Sequence, residues 1–287
     1  MNEIYLEYTN GVVPIISELK PKTLRYNENK YIETPNLFAK YFHFEKNYIL
    51  EDILLHASSH VYYVIEGKGK TEIRNSKTIF WEKGDVFILP FIKTRVLHTS
   101  FIKNTILFTA DDSPLFNFLN AKPLKKRFEP VYYNHNNMMA AIEKFNKEKN
   151  SKKRNRNGVL LTNKKMVHEK MNTLTHTMWS LMNVILPKTI QKPHRHNSIA
   201  VDLCVDIENN AEKNELVYTL MSKKIDKNGN LVEPIKMPWK KYCTFTTPPG
   251  WWHSHHNDSN KEAWVFPVQD AGLHTYLRTL DIQFIKD

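Results

Sequence analysis

Cysteine is scarce in this chain: two in 287 residues, Cys204 and Cys243, at no spacing typical of metal ligands. The pair argues against a disulfide scaffold or a cysteine-built metal site. It fits buried apolar thiols in a reducing compartment. Long apolar runs are missing too. Val86-Phe87-Ile88-Leu89-Pro90-Phe91-Ile92 falls far below the roughly 18 residues that span a bilayer, so no membrane span is expected. The amino end, Met1-Asn2-Glu3-Ile4-Tyr5, carries an acid at once and has no basic segment followed by an apolar one. It does not read as a signal peptide, and a cytoplasmic location is the expectation. Apolar residues overall are not lacking, at 41% with 12% aromatic, so the chain can bury a core and disorder is excluded over most of it. Its length exceeds that of a usual single-core domain, and two domains are expected.

The formal charge is +11, which admits a nucleic acid, an anionic substrate or no specific partner. Residues 121–165 hold thirteen Lys and Arg against three Glu, a net of +10, so almost the whole excess is local. Within it, Lys147 to Gly158 has no apolar residue and reads as an exposed connector. Met138 to Phe145 before it has the composition of a short helix. The expected division is a domain at 1–125, a basic linker with a short helix at 126–165 and a domain at 166–287. No nucleic-acid motif accompanies the basic stretch, and no nucleic-acid partner is expected.

Both halves read as β-rich. In the first, His60–Ile65 and Lys70–Ile73 flank the glycine turn Glu66-Gly67-Lys68-Gly69, and Gly84-Asp85 opens Val86–Pro90. In the second, Trp179–Leu186, Ala200–Val205, Leu216–Met221 and Cys243–Thr247 have strand composition, and Lys227-Asn228-Gly229-Asn230 supplies a hairpin turn. The reading is mainly β, a sandwich or barrel in each half.

Thirteen histidines stand out, and some are clustered. His194 and His196 lie two apart, which on a strand puts both imidazoles on one face, able to grip one metal. Pro248-Pro249-Gly250-Trp251-Trp252-His253-Ser254-His255-His256-Asn257 brings further imidazoles after a Pro/Gly turn. A third ligand from an adjacent strand would complete a facial triad with open positions, suited to oxygen activation. Taken singly, each histidine is equally a surface or packing residue. His43, His135, His168, His176 and His274 stand alone and read as ordinary polar residues.

Pro248-x-Gly250-x-x-His253-x-x-x-Asn257 resembles the second cupin motif, and His194-x-His196 the start of the first. In the other half, Val64–Gly69 and Gly84-Asp85 with Pro90 resemble parts of the same motifs. The chain is similar to a bicupin: two jelly-roll-like double-stranded β-helix barrels joined by the basic linker. His194 to Ala200, with Ala where many cupins place Glu, and Trp252-His253-Ser254-His255 are similar to the gentisate 1,2-dioxygenase and salicylate-type ring-cleaving dioxygenases. That resemblance implies Fe(II), with Mn, Ni and Zn as alternatives, on His194, His196 and His253. It also implies an aromatic hydroxy acid and O2 as substrates, His255 as a hydrogen-bond donor or proton shuttle, and a homo-oligomer. Trp251, Trp252, Arg195 and Asp202 are candidates for contact with the substrate. Asp202 stands where the family commonly has an Arg that pairs the substrate carboxylate, and the metal-competent half is C-terminal here, N-terminal there. In the first half, His56 and His60 occupy the cupin positions of the second His and the Glu, Leu54 that of the first His. With His98, three residues beyond the motif position held by Arg95, they are candidates for a second metal site; a degenerate cupin is the competing reading. A metal-dependent lyase, decarboxylase or isomerase, or a ligand-binding bicupin without turnover, are the other readings.

Overall fold

The computed structural model describes residues 31–148 and 157–285. Most of the stretch Lys147 to Gly158, and Met1 to Tyr5, lie outside the described residues. The chain forms two compact units, each assembled from separated pieces. Among the described residues, 31–141 are joined by Asn163–Met178 in the first unit; those of Ile142–Thr162 join Trp179 onward in the second. The sequence division at 125 and 166 therefore differs from the grouping by contact, for a local reason. Asn163 caps the helix Lys164–His168, accepting from the Met166 backbone N–H at 3.0 Å and donating to the Leu174 carbonyl. Beyond it, the Thr177 hydroxyl donates to the buried Asp112 carboxylate at 2.6 Å, which also accepts from the Ser58 N–H at 2.7 Å. This segment is stitched to the first unit by polar side chains that sequence periodicity does not register.

Ten strands build the first unit: β1 (Tyr31–Glu33), β2 (Phe38–Phe44), β3 (Ile49–Asp52), β4 (Ser59–Glu66), β5 (Lys68–Ile73), β6 (Ile79–Glu82), β7 (Val86–Pro90), β8 (Val96–Ser100), β9 (Thr105–Asp111) and β10 (Val131–Tyr133). They form a six-stranded sheet, β1-β2-β9-β4-β7-β10, and a four-stranded sheet, β3-β8-β5-β6. β4 sits between β9 and β7, and Val61 to Ile65 are all buried, which is why it lacks polar alternation. The glycine turn after β4 does not close a hairpin; it passes the chain from one sheet to the other. At Gly84 φ is +88°, and an added Cβ would lie 2.5 Å from His135 Nδ1. The adjoining Asp85 is fully buried and accepts from the Glu82 and His135 N–H groups and the Tyr132 hydroxyl. The Gly-Asp pair thus fixes both the entry to β7 and the start of the helix His135–Asn146.

The second unit holds β11 (Asn157–Leu161), β12 (Trp179–Ile185), β13 (Thr189–His196), β14 (Ala200–Asp206), β15 (Val217–Ser222), β16 (Ile235–Pro238), β17 (Thr244–Thr247), β18 (Trp252–Asn257), β19 (Ala263–Gln269) and β20 (Ile282–Phe284). One sheet runs β11-β12-β19-β14-β17, the other β16-β15-β18-β13-β20. The core includes Trp239, Phe245, Trp251, Met221 and Val265, and both cysteines are buried thiols outside any disulfide among the described residues. Among the described residues no helix is long and apolar enough to cross a membrane.

Candidate metal centre

β13 and β18 run side by side, antiparallel, with His194 opposite His253. A register shift between Gln191 and His194 sets the end of β13, and alternation then turns His194 and His196 to the inner face together. The Pro-Gly turn of the motif is tied to this end: the Gly250 N–H donates to the His196 carbonyl at 2.7 Å, with Gly250 at φ +74°. Asn257, at the far end of β18, donates to the Ile185 and Lys261 carbonyls and accepts from Ser259, so it clamps the strand. His194, His196 and His253 are buried, and one ring nitrogen from each lies within 4.8 Å of the others. The His253 ring centroid is 4.0 Å from that of His194 and 4.9 Å from that of His196.

The protons of these rings follow from their neighbours. His196 Nδ1 is 2.8 Å from the Ser198 carbonyl, His253 Nδ1 3.0 Å from the Trp251 carbonyl and His194 Nδ1 3.4 Å from the Lys192 carbonyl. A carbonyl oxygen only accepts, so each Nδ1 donates and Nε2 keeps its lone pair as the ligand atom. Three backbone carbonyls thereby hold three imidazoles in the tautomer a cation requires. The donor set fits a metal with open positions, and Ala200 offers no fourth ligand.

His255 is buried beside this group, 5.7 Å from His253 and 6.1 Å from His194 between ring centroids. Asp202 is buried on β14, on the same strand face as Ala200, and its carboxylate accepts from the Thr247 hydroxyl at 2.6 Å. The other three candidates lie elsewhere. Arg195 lies between the two ligands of β13 and Trp252 precedes His253, so alternation turns both to the opposite face. There the guanidinium sits 5.3 Å from the Trp252 ring centroid and donates to Gln283 at 3.1 Å. Trp251 packs in the core of the unit, where its indole N–H meets no acceptor among the described residues. Sequence reading missed the amide pair Asn183–Gln191, whose side chains exchange hydrogen bonds at 3.1 and 3.2 Å with Gln191 opposite His255.

His56, His60 and His98 are not brought together. His56 is exposed, His60 Nδ1 faces the Asp111 carboxylate at 3.9 Å, and His98 is fully buried. Among the described residues, the one group of three or more His, Cys, Asp or Glu with converging ligand atoms is that of His194, His196 and His253. Register explains it. β8 puts His98 opposite Thr71, as β18 puts His255 opposite Thr219. Val96 faces Asp52 where His253 faces His194. His98 therefore stands in the row of His255, two places from a ligand row that holds valine. The interior is filled instead by Asp52, whose carboxylate accepts from the Tyr62 hydroxyl at 2.7 Å and lies 3.7 Å from His98 Nε2.

Burial pushes the Asp52 carboxyl up, but the facing His98, the Lys40 charge and the Tyr62 hydroxyl outweigh it and hold it well below its usual 3.8. A depressed carboxyl contributes stability above its unfolded pKa and loses it as pH falls through the folded one. Asp52→Asn should thus lower stability at neutral pH and flatten its loss in acid, read as urea midpoints from roughly pH 5 to 2. Parallel curves for variant and parent would remove the effect.

No protein-family model matches the chain, and no curated protein matches it in sequence. Solved structures do resemble it. Salicylate 1,2-dioxygenase from Pseudaminobacter salicylatoxidans superposes with a TM-score of 0.66 at 11% identity, over 87% of this chain and 75% of that one. A variant of that enzyme in complex with gentisate reaches 0.68, covering 100% and 84%. Procruciferin, an 11S globulin from Brassica napus, superposes at 0.54 with 10% identity, over 87% and 78%. What these likenesses establish is the fold, a mainly β chain of two cupin units; the three-histidine group able to hold a metal belongs to the geometry of the second.

Proposed function

We propose that the chain is a non-haem Fe(II) dioxygenase that opens the ring of a small aromatic hydroxy acid with O2. The observation that carries the reading is the convergence of three buried imidazoles, each oriented by a backbone carbonyl, on the inner face of β13 and β18. Fe(II) bound there would supply Lewis-acid and redox chemistry towards a chelating hydroxy acid and O2. His194, His196 and His253 would hold it through Nε2, and Ala200 would add no fourth ligand. Asp202, on the strand face of Ala200, would shape the choice of substrate. A second carboxylate on the ligand would meet this acid, whereas a ring hydroxyl could donate to it. Arg195 does not compensate, since it stacks on Trp252 on the far face of the strands. The substrate is therefore expected to bring one carboxylate, and that one to the metal.

Asp202 also supports a second reading. A buried acid on the strand face of Ala200 suits proton transfer in a metal-dependent lyase, decarboxylase or isomerase that uses no O2. Metal analysis followed by oxygen uptake with a panel of hydroxylated benzoates separates the two. Iron-dependent uptake with a monocarboxylate is the expected result; bound metal without uptake on any member would favour the second reading.

A further inference from the structure

The same three residue types are wired together in both units. In the second, the Trp239 indole N–H donates to Thr219 Oγ1 at 2.8 Å, and that oxygen lies 2.8 Å from His255 Nδ1. In the first, Trp81 donates to Thr71 Oγ1 at 2.9 Å, which lies 2.8 Å from His98 Nδ1. The threonines are fully buried and sit directly opposite their histidines in register. Trp81 is followed by Phe87 and Trp239 by Phe245 at the same six-residue spacing, with a tryptophan–phenylalanine ring contact in each.

The wiring has a direction. An indole N–H can only donate, so it takes an acceptor site of the threonine oxygen. If Nδ1 donated as well, the threonine O–H would be left without an acceptor in a fully buried place, at the cost of an unmade hydrogen bond. The hydroxyl therefore donates to Nδ1, and the ring proton resides on Nε2. The first unit gives an independent check. His98 Nε2 faces the Asp52 carboxylate at 3.7 Å, which favours an N–H there over a lone pair.

We propose that Trp239 and Thr219 are positioning residues that hold His255 as its Nε2–H tautomer, the opposite of the three metal ligands. His255 is then barred from acting as a fourth ligand and becomes a hydrogen-bond donor to an anionic oxygen of a ligand on the metal. This rests on the three-histidine centre of the proposed function, but not on its dioxygen chemistry.

Long-range 1H–15N correlation spectra of the metal-free protein, labelled at histidine, read the tautomers without any reaction. His255 and His98 should carry the proton on Nε2, and His194, His196 and His253 on Nδ1. Thr219→Val should release His255 to a mixture of tautomers, and Thr219→Ser should restore Nε2–H. With Co(II) bound, Thr219→Val should weaken salicylate about tenfold, the worth of one hydrogen bond to a charged group, without lowering Co(II) affinity. An Nδ1–H tautomer at His255 in the parent protein would overturn the proposal. So would a Thr219→Val variant with parental spectra and parental salicylate affinity. Failure of oxygen uptake with correct tautomers would instead count against the dioxygenase reading alone.

Discussion

Replacing His253 by alanine is expected to remove bound metal and turnover together. His253 is the single ligand contributed by β18, and its ring lies closest to both others, so the variant keeps only the two imidazoles of β13. Two neutral nitrogens hold a divalent ion far less well than three. Losing an outer residue that merely orients a ligand costs about 10–100-fold in affinity, and losing the ligand itself should exceed that. After dialysis, His253→Ala should retain essentially no metal by elemental analysis, with an unchanged far-ultraviolet circular dichroism spectrum. Trp252→Ala is the matched control, since the neighbouring ring faces the other way and should leave metal content intact. A His253→Ala variant with a full complement of iron would dismiss the three-histidine centre.

The largest effect on stability is expected at Phe87. Its ring is fully buried in the first unit, stacked on Tyr62 with centroids 4.6 Å apart and planes at 7°, and on Trp81 at 6.3 Å and 11°. Phe87→Ala leaves a cavity between rings that strands on both sides hold in place, and a buried phenylalanine truncated this way costs about 3–5 kcal/mol. Phe80→Ala, on the exposed side of β6, should change stability by less than about 0.5 kcal/mol. Urea unfolding followed by tryptophan emission gives both values, Trp81 lying directly against the altered site. Equal midpoints for the two variants would mean that the stack contributes nothing beyond ordinary contact.

Much of the centre was legible because its signals are short in sequence. His194-x-His196 needs only strand alternation, and Pro248-x-Gly250 with Asn257 marks a turn and a clamp whose hydrogen bonds are local to β18 and its neighbours. The same alternation also sorts the neighbours: once His253 faces inward, Trp252 must face outward, and Arg195 likewise. What could not be read was register. His98 looked like a ligand because spacing counts imidazoles along the chain, whereas its role depends on which residue lies across from it. Thr219 and Trp239 were invisible for the same reason. They are 36 and 16 residues from His255, of common types, and meet it only after two strands pair. The segment Asn163–Met178 was placed with the wrong neighbours by proximity in sequence, its attachments to Asp112 and within its own capped turn being side-chain hydrogen bonds without periodicity.

That segment has a consequence for how the protein can be made or divided. Because the first unit takes Asn163–Met178 from between β11 and β12 of the second, no single cut yields two self-sufficient halves. A gene ended after Ala141 would encode a first unit deprived of Thr177 and of the helix capped by Asn163. A gene begun at Trp179 would encode a second unit without β11, leaving β12 as a bare sheet edge. Fragments split between β11 and Asn163 would each carry a piece that the other's unit needs, β11 on one and the capped helix with Thr177 on the other, so neither sheet edge nor clasp could be completed by one fragment alone.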